Sequence, residues 1–135
     1  FAISKGKQVR LQLTIGKSEI KIDDRIEKLE APPFIENSRT LVPIRKIAEN
    51  CEAEVLWDNT IRKVTIKRFD KTIELFIGSS VSKINGKDKP LPDGVAPKII
   101  NGRTFVPLRF VAEELDAKVE WVSLTQTILI IYPGY

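Results

Sequence analysis

Residues 101–121 read NGRTFVPLRFVAEELDAKVEW, and residues 37–57 read NSRTLVPIRKIAENCEAEVLW. A chain of 135 residues that contains one long phrase twice reads as the duplication of a single unit. At a constant offset Arg39, Thr40, Val42, Pro43, Arg45, Ala48, Glu49, Ala53, Val55 and Trp57 recur as Arg103, Thr104, Val106, Pro107, Arg109, Ala112, Glu113, Ala117, Val119 and Trp121. Upstream, LQLTIGKSEIKIDD (11–24) matches IELFIGSSVSKING (73–86), and the second copy holds two extra residues near PLPDG. The copies are expected over about 9–67 and 72–132, giving two repeats at 1–69 and 70–135.

Each copy parses as strands, one helix and two further strands. VRLQLTIG and KTIELFIG alternate apolar and polar residues and stop at glycine, as half-buried strands do. EIKIDD and SKING read as short strands entering turns, and Asn85-Gly86 is a hairpin signal. RTLV and RTFV are brief extended segments, and Pro43 and Pro107 suit the first helical position, where a missing N–H costs nothing. Ile44, Ile47, Ala48 and Cys51 form an apolar stripe at helical spacing, as do Leu108, Val111, Ala112 and Leu115. The expected fold class is α+β: two tandem repeats, each a small, mainly antiparallel sheet with one helix packed on it.

Every position shared by the copies can be given a folding duty. Trp57 and Trp121 fall on the inward side of their strands and are expected in the core. Arg45 and Arg109 precede Glu49 and Glu113 by one turn, the spacing of an i,i+4 ion pair. Arg39 and Arg103 either anchor loop carbonyls or contact a ligand, and their place in the lead-in to the helix favours the structural role. Cys51 takes the place of Leu115 on the buried stripe and reads as a small core hydrophobe.

Composition narrows the function. With no histidine and one cysteine, the chain lacks the donors of zinc and copper sites and the base of a Ser-His or Cys-His pair. No phosphate-cradling glycine loop and no calcium loop is present, so no catalytic, cofactor-binding or metal residue is expected. Adjacent carboxylates such as Asp23-Asp24 and Glu113-Glu114 read as solvated charge. The net charge of +4 is spread among acidic residues, which argues against a nucleic-acid partner. No apolar run is long enough for membrane insertion as a helix. The chain starts at Phe1 and lacks methionine, and a mature or excised fragment of a longer product is the expectation; FAISKG precedes the first strand as a segment expected to allow strand exchange between molecules.

Where the copies differ, the second becomes apolar. Lys46 becomes Phe110, Asp58 becomes Val122, Thr60 becomes Leu124, Thr65 becomes Leu129 and Lys67 becomes Ile131. These five form an expected interaction surface, either between the two units or toward another chain, including a second copy of this one.

The long motif INGRTFVPLRFVAEELDAKVEW, with the preceding KING turn and the trailing strand, resembles the copper amine oxidase N-terminal domain-like family, also called the stalk domain, in both copies. The resemblance implies an α+β module, often in tandem, in secreted or cell-surface proteins of Gram-positive bacteria, with no activity established for the module itself, and the family's name assigns it neither copper nor oxidation. Two departures stand out. A glycine commonly follows the helix in that family, where Glu52 and Asp116 stand here, and the aspartate usual after the tryptophan is Asp58 in one copy and Val122 in the other. The expected function is a non-catalytic structural or interaction module outside the cell, a spacer making protein or envelope contacts. A glycan- or cell-wall-binding module is the alternative, and an enzyme acting on wall polymer the third reading.

Overall fold

The computed structural model describes residues 8–134; the FAISKG segment lies outside them. The first half forms β1 (Val9–Thr14), β2 (Glu19–Ile22), β3 (Arg25–Lys28), β4 (Phe34–Glu36), β5 (Arg39–Pro43), α1 (Arg45–Asn50), β6 (Glu54–Asp58) and β7 (Lys63–Arg68). The second half repeats the order as β8 (Lys71–Phe76), β9 (Val81–Ile84), β10 (Lys87–Pro90), β11 (Lys98–Ile100), β12 (Arg103–Pro107), α2 (Leu108–Glu114), β13 (Lys118–Val122) and β14 (Thr127–Tyr132).

The strands do not assemble within their own halves. One five-stranded sheet runs β13-β14-β1-β2-β3, the second runs β10-β9-β8-β7-β6, and a four-stranded sheet runs β11-β12-β5-β4. The expected pair of helix-on-sheet repeats is therefore overturned: the molecule is a mostly antiparallel three-sheet unit with two short helices, and every sheet contains strands from both halves. The cause is the two-residue link Phe69-Asp70. It is too short to begin a separate sheet, so β8 folds straight back on β7, pairing Arg68 with Lys71 and Val64 with Leu75. With β7 occupied by β8, β1 pairs instead with β14, from Val9–Tyr132 to Thr14–Thr127.

The exchange has approximate two-fold symmetry. β5 pairs antiparallel with its counterpart β12, and Val42 faces Val106 at the centre. Alternation along the strands turns Leu11, Leu13, Ile20, Ile22, Ile66, Ile73, Leu75 and Ile130 inward, and both helical stripes join them in one continuous core. Burying one such side chain stabilises the fold by about 1.5–3 kcal/mol. A smaller cluster of Leu41, Val95 and Phe105, with Phe34 packed against it, lies apart from this core.

The helices begin later than the proline positions suggest. Pro43 and Pro107 remain extended because each is held in the β5–β12 ladder, opposite Phe105 and Leu41. Helix α1 then starts at Arg45 and α2 at Leu108. Both end in a Schellman motif. Glu52 and Asp116 adopt left-handed φ of 60° and 63°. The amides of Ala53 and Ala117 donate back to the carbonyls of Ala48 and Ala112, and those of Glu52 and Asp116 to Glu49 and Glu113. A non-glycine residue there costs about 1–2 kcal/mol. Both side chains are engaged across the two-fold axis. The Tyr132 hydroxyl donates to Glu52 (2.9 Å), and Arg68 pairs with Asp116 (3.0 Å). Arg68 Nε also donates to the Tyr132 hydroxyl (2.6 Å). Arg68 and Tyr132 occupy matching positions, 64 residues apart.

Candidate functional site

Two surface grooves lie on either side of the central strand pair, with volumes of about 470 and 420 Å³. Each combines one half's β4–β5 or β11–β12 hairpin with the other half's helix start and outer strand. In the first, Ile35, Arg39 and Thr40 from β4 and β5 face Arg109, Val119 and Trp121 from α2 and β13. In the second, Ile99, Arg103 and Thr104 from β11 and β12 face Arg45, Val55 and Trp57 from α1 and β6. The same two arginines, threonine, valine and tryptophan thus meet twice, each time by strand exchange between halves.

The tryptophans correct the expectation of core indoles. Trp57 is 39% exposed and Trp121 40%. Helices of six and seven residues are about 10 Å long, whereas the five-residue strands beside them run about 17 Å. Each helix therefore covers the Ala53 or Ala117 end of its neighbouring strand and leaves the indole overhanging the groove.

The arginines differ in what holds them. Arg39 Nε sits 2.7 Å from Asp93 Oδ2. Asp93 belongs to the short turn Pro92–Gly94, in the stretch where the second half is longer than the first. Arg109 donates to Glu113 (3.3 Å) and to the Val119 carbonyl (3.4 Å), covering part of the β13 edge. Arg45 lies 3.9 Å from Glu49, so both expected i,i+4 pairs form. The Arg103 side chain is exposed and has no ion pair or hydrogen bond among the described residues. Glu30 lines the same groove without coming within ion-pair distance of it.

The five positions of the expected interaction surface are dispersed. Phe110 is buried as a wall of the first groove, with Lys89 Nζ 5.6 Å from its ring centre. Ile131 is buried and Leu129 half-buried on β14, which is enclosed by β1 and β13. Val122 and Leu124 stand in water at the β13–β14 turn, Leu124 93% exposed. The signal that would have found the grooves was present in the duplication: Arg45, Arg109 and the tryptophans recur although they are not needed to fill the core.

Cys51 is fully buried, and desolvation pushes its thiol up to about 12. Copper requires imidazole or an accessible thiolate, and the chain has no histidine. Its donors do not fit that metal, and among the described residues no group of three His, Cys, Asp or Glu is placed to hold an ion.

The fold and its grooves define, in class, a β-rich module of two interleaved halves with a duplicated groove. Residues 21–130 match the copper amine oxidase N-terminal domain, and the chain belongs to that family, a non-catalytic one. The match is one continuous span across both halves rather than one match to each. No curated protein and no solved structure matches the chain.

Proposed function

We propose that this chain is a non-catalytic spacer and contact module outside the cell, secreted or held at a Gram-positive surface, that grips envelope material through its two grooves. The observation carrying this reading is the pairing of arginines, all but the half-buried Arg39 exposed, with half-exposed tryptophans at matching positions of both halves. Core packing explains the retention of Val42, Ala48 and Ala53, and it does not explain the retention of Arg103 or of an overhanging indole. Guanidinium groups supply fixed donor forks, and an indole face supplies a flat apolar platform; together they suit a polar ligand with an apolar side.

The test is co-sedimentation of the full chain with isolated Gram-positive envelopes. The reading expects sedimentation that falls when Trp57→Ala is combined with Trp121→Ala. Equal sedimentation by the variant, or none by either protein, refutes it. Self-association is a second reading, favoured by Val122 and Leu124 exposed side by side at one turn. Sedimentation velocity decides it: a dimer abolished by Leu124→Asp supports it, and a monomer at all concentrations rejects it.

A further inference from the structure

We infer that the grooves are a matched pair of subsites for a linear polysaccharide bearing carboxylate groups, and that the Arg103 groove is the tighter of the two. This deepens the envelope-contact reading and rests on it.

Three observations lead to that ligand. The same triplet of two arginines and one tryptophan occurs in both grooves, so the ligand presents the same unit more than once. A repeating polymer does this by construction, whereas a peptide would need its own internal repeat. Each groove is lined by two arginines and a tryptophan, and those groups complement a sugar ring whose C–H face stacks on an indole while its carboxylate takes a charge-assisted fork. Finally, strand addition by a peptide is disfavoured in the first groove, because Arg109 already donates to the Val119 carbonyl on the outer strand.

The ranking of the grooves follows from their charge. In the first, Arg39 is matched by Asp93 and Arg109 by Glu113, so an incoming carboxylate must compete with anions already in place. In the second, Arg45 is held only loosely, at 3.9 Å from Glu49, and Arg103 is unmatched. Glu30 is the one carboxylate lining that groove and makes no ion pair among the described residues, which leaves the Arg103 guanidinium open to an incoming carboxylate. The asymmetry arises from Asp93 in the longer stretch of the second half.

The chain contains two tryptophans, one in each groove, so emission reads the sites separately. Trp121→Phe leaves Trp57 as the reporter, and Trp57→Phe leaves Trp121. Each protein is titrated with polygalacturonate, with its neutral methyl ester, with inorganic polyphosphate and with polyglutamate. The expected result is a change in Trp57 emission with polygalacturonate at several-fold lower concentration than for Trp121, and none with the neutral ester. Arg103→Ala in the Trp121→Phe background should weaken the Trp57 response about tenfold to a hundredfold, and Arg103→Lys should recover part of it. Because Arg103 is exposed, circular dichroism should be unchanged in both variants. Asp93→Ala should strengthen the Trp121 response. An equal response to polyglutamate overturns the sugar assignment in favour of an acidic peptide. An equal response to polyphosphate removes the need for a ring, and no response to any acidic polymer rejects the proposal. If the envelopes still sediment the protein through its tryptophans while polygalacturonate is ignored, the ligand class fails and the contact reading survives. If both fail, both are wrong.

Discussion

Replacing Tyr132 with phenylalanine removes one oxygen atom from the axis that joins the halves. The ring is buried, and its hydroxyl both accepts from Arg68 Nε (2.6 Å) and donates to Glu52 (2.9 Å). Burial, together with the bond to Glu52, raises the phenol above its ordinary pKa against the opposing pull of Arg68, so the group is a neutral donor at pH 7. A hydrogen bond to a charged partner contributes about 1.5–3 kcal/mol. Glu52 is exposed and regains water when its donor is lost, so its side of the loss is small. The Arg68 side chain is only 13% exposed and keeps Asp116, but its Nε–H would face a phenylalanine edge. The expected cost is about 2 kcal/mol. For a chain of this size that corresponds to a fall in Tm of roughly 6–10 °C. The assay is urea unfolding followed by tryptophan emission, with Glu52→Gln and the double variant completing a cycle. The cycle should return a coupling of about 0.5–1 kcal/mol. A loss below about 0.5 kcal/mol for Tyr132→Phe would refute the axial role assigned to the pair.

Other outcomes follow from individual side chains. Cys51 should resist a thiol reagent at pH 8 until the protein unfolds, because its thiol is buried and its pKa is about 12; rapid labelling of the native protein contradicts this. Glu27 accepts from Arg25 (2.7 Å) and Lys46 (2.8 Å), which lower its pKa from 4.5 to about 2. A depressed folded pKa gives stability that is present above pH 4.5 and is lost as pH falls through about 2. Glu27→Gln should therefore flatten the acid limb of the urea midpoint, and an unchanged limb would count against the pairing. Ile131→Asp should destabilise strongly by burying a charge, whereas Leu124→Asp should stay within about 0.5 kcal/mol of the parent in the same unfolding assay.

Local structure was largely legible in the residues. The alternation of VRLQLTIG and KTIELFIG, the Asn85-Gly86 turn and both helical stripes appear where their spacing placed them. Topology was not, because periodicity says which face of a strand is apolar and nothing about which strand it meets. The decisive clue was the brevity of Phe69-Asp70, which looks like a boundary between repeats and acts as a hairpin turn. The grooves stayed hidden for the same reason, since Arg103 and Trp57 lie in different halves and meet only after the strands cross. The inward reading of the tryptophans assumed that a helix covers the whole strand beside it, and these helices are too short to do so.

The strand exchange is tested most directly by unfolding Trp121→Phe and Trp57→Phe in urea, with and without Leu13→Ala. Leu13 lies on β1 in the first half and is fully buried beside β14 of the second. Its truncation should cost about 2–5 kcal/mol. With an m-value of about 2 kcal/mol/M that lowers the midpoint by about 1–2.5 M. Shared sheets predict that Trp57 and Trp121 report one common midpoint and that Leu13→Ala moves both equally. Separate transitions, with Leu13→Ala displacing the Trp57 signal alone, would contradict the account.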